Sequence, residues 1–571
     1  MPASFRSSFL THAEITATLR AWADAHPAHA RLESIGESPE GRELWVLRIG
    51  RDLDAVKPIA WVDGNMHGVE LCGSSVALAI AEDVLALHTQ LDDALREGHP
   101  ARALPPHVRD TLRDVHLCVL PRMSPDGAEA VLADGRYVRS VPRQLEPRAP
   151  NARWAASDLD GDGRSLSVRK QDPSGEWVEH PDAPGVMVVR ELEDAGPFYK
   201  VWPEGTIEHF DGVRVPTPTY LSDSPVDLNR NFPFTWQPEP AQPGAGPFPL
   251  SEPESRAVVS WMTAHPSVFL WLNLHTFGGV FIRPLGNAID KKMNQEDLAV
   301  FRQIADWGET FTGYPTVSGY EEFTYEPDKP LYGDLVDFAY HQRGALAYVC
   351  ELWDVFTELG MERARPFADV YARLGRDEMK KLAELDARHG SRIFRPWRPL
   401  AHPQLGDVEV GGFDPIVGVF NPPFERVAQI CDAQSAAYLR AMALAPRLAL
   451  STPRVEALGA DVYRVVVDVR NDGYLGTYVL ASAKELAFDV DVYLACTGAG
   501  GAEVDAEHAR VRVGHLDGWG RGRHAETPWW PRSRGTVSSR RLSIVARGRG
   551  VVTLEASGAR TGLCRAEVTL G

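Results

Sequence analysis

The chain has 571 residues, which is more than one ordinary hydrophobic core holds, so we expect at least two domains. Hydrophobic residues make up 44% of the chain and charged residues 24%, a composition typical of globular proteins and not of disordered ones. The formal net charge of -18 argues against nucleic acid and anionic membrane surfaces as partners, because both repel an acidic protein.

The first predicted elements are a helix and a series of short apolar strands. Thr11 and Glu14 have the spacing of a capping box, so a helix is predicted from there to about Pro27. Strands are predicted at 44–49, 58–62, 115–120, 268–274 and 345–350, with helices between them at 73–87 and 252–264. Apolar strands that do not strictly alternate, separated by helices, indicate an α/β sheet that is covered on both faces.

Two later regions differ from this pattern. From about Pro142 to Pro218 the chain is rich in Pro, Gly, Asp and Arg, which predicts a long, lid-like insertion of loops and short strands. After a predicted helix at 424–445, apolar residues alternate from Tyr463 to Arg470 and a turn follows. The chain is therefore predicted to divide into a catalytic domain at 1–446 and an all-β sandwich domain at 447–571.

Three acidic residues in the insertion, Asp158, Asp160 and Asp162, begin like a calcium-binding loop. An EF-hand loop needs a glutamate at its twelfth position, where this chain has Arg169. A turn rich in Asp and Gly is therefore the favoured interpretation, with calcium binding as the alternative.

Candidate metal ligands occur at the ends of two predicted strands. His67 and Glu70 lie between a strand and a helix, and His275 ends a later strand. Alone, each has an ordinary explanation, such as a surface histidine or a first-turn glutamate favoured by the helix dipole. Together they form the two-histidine, one-carboxylate set of a catalytic zinc, which leaves a coordination position open for water.

Further candidates are a carboxylate and a polar pair. Glu351 follows a strand that the pattern predicts to be buried, where a carboxylate is costly unless it has a role such as a general base. Asn229 and Arg230 are adjacent, and an arginine fork suits the free carboxylate that an exopeptidase must recognise. The ordinary alternative for this pair is a loop stabilised by an asparagine turn.

The order of these motifs is more specific than any one of them. HxxE comes first, then PxxSPDG, LNRN, a strand-end histidine, and a strand followed by EL. This order resembles the carboxypeptidase A-like family of zinc metallocarboxypeptidases over about residues 5–445. The resemblance implies a mixed central sheet flanked by helices. It also implies one Zn²⁺ per chain held by His67, Glu70 and His275, with Glu351 as the general base.

The resemblance also implies roles in substrate binding. Asn229 and Arg230 match the pair that binds the terminal carboxylate of the substrate. Arg139 matches the arginine twelve residues after the PDG glycine, which helps polarise the scissile carbonyl; Arg169 is its rival. Tyr332 lies nearest to the position of a mobile tyrosine that covers the substrate, and Tyr325 is the alternative.

The implied reaction is hydrolysis of the C-terminal peptide bond of peptides or proteins by a zinc-activated water. Cell-wall stem-peptide hydrolysis or amino-acid deacylation at the same zinc site are alternatives. A non-catalytic binding protein is a further alternative, but it would be expected to lack Glu351 or a ligand. The preferred terminal residue is open. By the resemblance, Val336 lies near the position that lines the family's side-chain pocket, which favours an apolar or aromatic residue, whereas Asp334 or Asp337 would favour a basic one if it faced inward.

The N-terminal residues lack the pattern of a signal peptide, and no apolar run has the length of a membrane span. These observations predict a cytoplasmic protein. The oligomeric state cannot be read from the sequence.

Overall fold

The computed structural model describes residues 4–143, 152–219, 221, 224–326, 329–390, 392–488, 491–520, 522 and 533–571. Strands and helices are numbered along the chain. The largest sheet consists of β1 (Ala30–Glu37), β2 (Glu43–Ile49), β3 (Ile59–Gly64), β4 (His116–Leu120), β11 (Val268–Thr276), β12 (Val280–Arg283), β13 (Thr316–Ser318) and β14 (Leu346–Leu352).

This sheet is mixed, and its strand order is β1-β2-β4-β3-β11-β14-β12-β13. The four central strands β4, β3, β11 and β14 run parallel, whereas β1, β2 and β12 pair antiparallel. Every residue of β3, β4 and β11 is buried, as expected for parallel strands with helices on both faces. The predicted α/β architecture and its five strands are confirmed.

The helices are α1 (His12–Ala25), α2 (Cys72–Thr89), α3 (Pro106–Arg113), α4 (Pro125–Asp134), α5 (Pro253–Ala264), α6 (Gln295–Thr312), α7 (Gly319–Glu322), α8 (Leu335–His341), α9 (Val355–Glu358), α10 (Arg376–Arg388) and α11 (Phe424–Met442). The predicted capping box at the start of α1 is present. α2 starts close to the sheet, because a Cβ on Gly64 would lie 2.6 Å from the backbone of Gly73. None of the helices in the described ranges has the length and apolar character of a transmembrane segment.

The insertion forms short strands, and four of them belong to one sheet together with two strands from much later in the chain. The insertion strands are β5 (Arg153–Ala156), β6 (Ser167–Gln171), β7 (Trp177–Glu179), β8 (Met187–Val189), β9 (Phe198–Pro203) and β10 (Gly205–Glu208), and the later strands are β15 (Phe394–His402) and β16 (Gly406–Phe413). Six of them form a sheet in the order β15-β16-β6-β9-β7-β8, and β5 pairs with β10. The sequence predicted the short strands but not their pairing with β16. Part of the predicted insertion, residues 144–151, lies outside the described residues.

Antiparallel strands dominate the C-terminal part: β17 (Leu448–Leu450), β18 (Arg454–Gly459), β19 (Val462–Asn471), β20 (Val492–Ala499), β21 (Glu503–Val504), β22 (Arg510–Gly514), β23 (Ser539–Arg547), β24 (Gly550–Gly558) and β25 (Gly562–Leu570). They form a five-stranded and a four-stranded sheet with a shared apolar core, which confirms the β-sandwich. The fully buried Arg560 reaches from this sandwich to the large sheet, where it donates to the carbonyl of Val268 (2.8 Å), and it also donates to the carbonyl of Arg343 just before β14. Leu475, Leu480 and Ala483 also join the apolar core around the large sheet.

Candidate metal centre and active site

The candidate site lies at the carboxyl ends of three neighbouring parallel strands, β3, β11 and β14. His67 and Glu70 lie in the turn after β3, while His275 and Glu351 each lie one residue before the end of β11 and β14. β11 and β14 pair in register, with His275 opposite Glu351. The carboxyl edge of a parallel sheet is the usual location of ligand sites in α/β proteins. The fold therefore brings together four residues that the sequence separates by up to 284 positions (351 − 67).

The turn after β3 has a local cause. Asn65 adopts a left-handed conformation (φ 56°), and its side-chain amide donates to the carbonyls of His67 (2.6 Å) and Gly68 (3.2 Å). A Cβ on Gly68 would lie 2.8 Å from the backbone of Gly127, so this turn packs closely against the start of α4. Asparagine tolerates the left-handed region better than most residues, and here it also stabilises the turn that carries two candidate ligands.

The three predicted metal ligands converge on one point. Each offers one ligand atom, and these atoms all lie within 4.8 Å of one another. Nδ1 of His67 lies 2.7 Å from Glu70 Oε1, and Nδ1 of His275 lies 3.0 Å from Glu70 Oε2. The two Nδ1 atoms are 3.1 Å apart, and all three side chains are buried. Separations near 3 Å suit ligand atoms that each lie ~2.0–2.1 Å from one tetrahedral zinc, so the residues fit this ion.

Two further side chains orient these imidazoles. Nε2 of His67 donates to Asp227 Oδ1 (3.0 Å), and Nε2 of His275 donates to Asn273 Oδ1 (2.5 Å). Asn273 in turn donates to the buried Asp63. With the proton on Nε2 of each ring, both Nδ1 atoms are free to coordinate a metal, which is the usual arrangement around metal-binding histidines.

The sequence analysis did not identify Asp227 or Asn273. Each stands two positions before a predicted site residue, Asp227 before Asn229 and Asn273 before His275. In a strand, side chains two residues apart point to the same face, so the position of Asn273 was a usable signal. Asp227 lies in a loop, where spacing gives no such direction.

Charge and burial act differently on the three carboxyls of the site. Burial alone would raise the pKa of Glu70, yet the two neighbouring imidazoles hold it below its usual range. Burial would also raise the pKa of Asp227, but Arg139 and the adjacent imidazole lower it well below its usual range. For Glu351, burial raises the pKa well above its usual range, the charge of Glu70 adds to this, and Arg139 opposes it. Burial and charge therefore disfavour the ionised form of Glu351 more than those of Glu70 and Asp227.

The contacts of Glu351 are consistent with a reactive carboxylate. Its Oε2 atom is buried and accepts no hydrogen bond from the described residues. Its backbone is fixed, because the Gly279 N–H donates to the Glu351 carbonyl at 2.8 Å. A buried polar atom without a partner costs free energy, which is typical of a group that pairs with water or substrate.

Arg139 lies against the metal ligands. Its backbone carbonyl accepts from the Gly68 N–H (3.0 Å), which ties its segment to the turn after β3. Its Nε donates to Asp227 Oδ2 (2.9 Å), and its Nη1 lies 3.7 Å from Glu70 Oε1. The rival Arg169 lies in β6 and pairs with Glu179 of β7 and Glu409 of β16. Of the two candidates, Arg139 is therefore the one beside the ligands.

Asn229 and Arg230 lie in a short helical turn that packs against the start of α8. Asp227 Oδ1 accepts the Asn229 N–H at 2.8 Å, and Asn229 Oδ1 accepts the Leu335 N–H at 2.9 Å. Arg230 is buried, and its Nη1 donates to the Asn229 carbonyl at 2.6 Å. A Cβ on Gly333 would lie 2.4 Å from the Arg230 carbonyl, so only glycine permits this approach. The pair is thus held rigidly, and Asp227 connects it with His67.

The two candidate tyrosines occupy different surroundings. Tyr332 is half-buried, and its backbone N–H donates to Gln242 Oε1 at 3.1 Å. Tyr325 is 61% exposed, and its ring lies 6.4 Å from that of Tyr371, whose hydroxyl donates to the Phe277 carbonyl just after β11. Tyr332 as the residue that covers the substrate stays a prediction, and these contacts favour the alternative, Tyr325.

The acidic residues near the predicted side-chain pocket support the backbone. Asp334 Oδ1 accepts the Asp337 N–H (2.8 Å) at the start of α8, and Asp337 accepts the Gly286 N–H (3.0 Å). Burial raises the pKa of both carboxyls, which weakens their attraction for a basic side chain. Val336 is buried between them in the apolar core.

The acidic loop of the insertion brings Asp158, Asp160 and Asp162 together, with one oxygen of each within 4.8 Å of the others. Asp158 accepts two glycine N–H groups of the same loop, at 2.7 and 2.8 Å. Arg398 pairs with Asp162 at 2.8 Å and with Asp160 at 3.5 Å. These contacts favour the Asp- and Gly-rich turn, and calcium binding stays an untested alternative.

Comparison with known proteins agrees with this geometry. A family model described as zinc carboxypeptidase matches residues 15–171 and 217–361, which together are more than half of the chain. The chain therefore belongs to the zinc carboxypeptidase family. A second model, a domain of unknown function, matches residues 447–569.

Individual relatives are distant. Carboxypeptidase B of Astacus astacus is 26% identical over 179 residues, which cover 31% of this chain and 48% of that protein. Carboxypeptidase D of Mus musculus is 26% identical over 296 residues, which cover 50% of this chain and 14% of that protein. The chain thus spans about half or less of the length of these relatives. Among solved structures, carboxypeptidase A from Helicoverpa armigera matches with a TM-score of 0.38 and 20% identity, covering 61% of this chain and 66% of that one.

The contact between Asp227 and His67 leads to a testable prediction. Asp227→Asn keeps the shape of the side chain but removes the negative charge that orients His67 and Arg139. We expect zinc affinity to fall about 10- to 100-fold, the usual effect of losing such a partner. Competition with a chromogenic chelator measures it, and the exposed Asp93→Asn serves as the matched control. Unchanged zinc affinity in Asp227→Asn would contradict the role given to this carboxylate.

Proposed function

We propose that this protein is a zinc-dependent metallocarboxypeptidase that hydrolyses the C-terminal peptide bond of peptides or proteins. The observation that carries the proposal is the convergence of His67, Glu70 and His275 at one sheet edge, with Glu351 in register beside them. Membership in the zinc carboxypeptidase family supports the same conclusion.

The chemistry follows from the side chains around the ligands. When bound, zinc supplies a Lewis acid that polarises the scissile carbonyl and activates water. Glu351 takes a proton from the attacking water and passes it to the leaving amine, which completes hydrolysis without any other acid. Arg139, oriented by Asp227, donates hydrogen bonds to the carbonyl oxygen on which negative charge develops.

Substrate recognition depends on the polar turn beside this centre. Arg230 and Asn229 hold the free terminal carboxylate, which places the last peptide bond at Glu351. Tyr325, which is exposed and packs against Tyr371 near the carboxyl end of β11, is the residue that we expect to close over the bound end. Tyr332 is the alternative for this role.

Arg230 provides a direct test of exopeptidase specificity. Arg230→Ala should lower kcat/KM for a peptide with a free C-terminus by about 10²-fold or more, because a buried partner of a charged group is lost. Hydrolysis of the same peptide with an amidated C-terminus, which is already poor, should change little. The measurement is kcat/KM for this peptide pair, read by mass spectrometry.

Arg230→Lys is the conservative control, since it keeps the charge but loses the bidentate fork, and we expect an intermediate loss. Zinc content should equal that of the unmodified protein in both variants. If Arg230→Ala affected the free and amidated peptides equally, the carboxylate-binding role would be wrong.

A further inference from the structure

A large cavity of about 790 Å³ lies between the insertion sheet, the strands β15 and β16, and α10. We call it the tryptophan pocket, because four tryptophans line it: Trp154, Trp177, Trp202 and Trp397. Most of its walls come from 177–203 and 374–416, outside the two stretches that match the zinc carboxypeptidase family. The pocket is therefore formed largely by residues outside the matched stretches.

The pocket is apolar and accessible. The rings of Trp177, Trp202 and Trp397 are only half-buried, and Val189 at the wall is 62% exposed. Soluble proteins seldom leave so many large apolar side chains facing a solvent-accessible concavity unless a ligand covers them. The volume lies within the ~300–1,000 Å³ range of ligand pockets, and a predominantly apolar lining is typical of them.

The charged groups of the lining neutralise each other. Arg376 lies 3.4 Å from Glu191 and is also paired with Asp194. A ligand that needs a charged partner would have to break these pairs. A sugar stacks on tryptophan but also needs several hydrogen-bonding groups around its ring, which this mainly apolar lining supplies poorly. The lining therefore favours a neutral, apolar occupant.

One residue connects the pocket with the candidate active site. Tyr137 lines the pocket two residues before Arg139, and its segment is bonded to the turn after β3 by the Val69 N–H to the Val138 carbonyl (3.1 Å) and the Gly68 N–H to the Arg139 carbonyl (3.0 Å). Arg230 does not line the pocket; it packs against the start of α8. Arg139 is bonded to Asp227, which also accepts the Asn229 N–H, and it follows Tyr137 of the pocket lining by two residues.

We propose that the tryptophan pocket binds apolar side chains of a peptide substrate on the N-terminal side of the scissile bond. The proposal rests on the proposed function, because a terminal carboxylate at Arg230 and a scissile carbonyl at Arg139 direct the rest of the peptide past Tyr137. Binding energy from this remote segment can then increase the rate at the scissile bond. The pocket selects substrates by the residues upstream of the cleaved one.

The test uses three N-blocked substrates that share the same last two residues. One is the dipeptide itself, one is a hexapeptide with Leu and Phe upstream, and one is a hexapeptide with Ser and Gly upstream. In the unmodified protein, kcat/KM for the apolar hexapeptide should be about ten times kcat/KM for the hexapeptide with Ser and Gly, as expected from burying a side chain or two. Trp177→Ala and Val189→Asp should each reduce this ratio to about one and leave dipeptide hydrolysis within about twofold.

Val189→Asp is included because Trp177→Ala could also impair folding. Val189 is largely exposed, so its replacement should disturb the fold little. Trp519→Ala, which changes an exposed tryptophan of the C-terminal part, is the matched control and should keep the full ratio. A ratio near one in the unmodified protein, or a ratio that Trp177→Ala and Val189→Asp leave unchanged, would overturn the proposal.

A binding measurement separates this proposal from the proposed function. The apolar hexapeptide with an amidated C-terminus should bind by calorimetry, and Val189→Asp should weaken its Kd about tenfold. If it binds in this way while no peptide is hydrolysed, the proposed function fails and the pocket stands. If peptides are hydrolysed but the amidated peptide does not bind, the pocket proposal fails. Binding of an N-acetylglucosamine oligosaccharide in place of the peptide, sensitive to Val189→Asp, would also overturn it.

Discussion

The Glu351→Gln variant is expected to lose about 10²–10⁴-fold in kcat while it still binds one zinc per chain. The glutamine has the same shape, but it cannot accept the proton of the attacking water, and general acid–base groups contribute about this much to catalysis. Zinc should remain, because Glu351 is not among the three converging ligands. Peptide hydrolysis and metal analysis on the same sample provide the measurement.

Glu351→Gln should also remove an unfavourable electrostatic interaction from the folded protein. Burial and the charge of Glu70 both act against ionised Glu351, whose Oε2 accepts no hydrogen bond from the described residues. A neutral glutamine removes this repulsion, so the variant should be at least as stable as the original. Glu362→Gln, an exposed change on the same segment, is the matched control and should keep full activity. A Glu351→Gln protein that retains its turnover would refute the assignment of the general base.

The second large effect is expected from His275→Ala. Removal of one of three ligands should lower zinc occupancy from about one per chain to a small fraction at limiting zinc, and activity should fall to background. The local structure should survive, because Asn273 keeps its hydrogen bond to Asp63 after its partner is lost. Metal content after dialysis and circular dichroism together measure both parts of this expectation.

A chelator experiment completes this test. Treatment with a zinc chelator should abolish activity in the unmodified protein, and added zinc should restore it, whereas His275→Ala should not recover under the same conditions. His107→Ala, an exposed histidine change, should behave like the unmodified protein. Full zinc occupancy in His275→Ala would show that the ligand set is wrong.

The sequence predicted the candidate site best where a chemically distinctive residue stands beside a strand or helix that local periodicity predicts. His67 and Glu70 lie in the turn that follows an apolar strand, His275 and Glu351 lie near the ends of two others, and strand ends of a parallel sheet meet at one edge. Their convergence thus followed from elements that short-range patterns predict well. The capping box of α1 was equally local.

Other features depend on contacts that sequence spacing does not encode. Asp227 acts through bonds to His67 and Arg139 that exist only once three distant segments have met. The pairing of β6 with β16 joins segments separated by more than two hundred residues, and no periodicity indicates it. Tyr325 lies in a loop, where helix or strand periodicity gives no register for choosing between it and Tyr332.

Arg560 has a consequence for how this protein can change in evolution. The carbonyl of Val268 that it binds is the first of β11, the strand that carries His275 near its other end, so the sandwich supports the start of that strand. Deleting the sandwich would leave that carbonyl and the Arg343 carbonyl without this donor, and would uncover apolar core residues. We therefore expect the two units to be exchanged by recombination less freely than domains that are joined only by a linker. We also expect replacements on the two sides of this contact to depend on each other, because each side supplies a partner for the other.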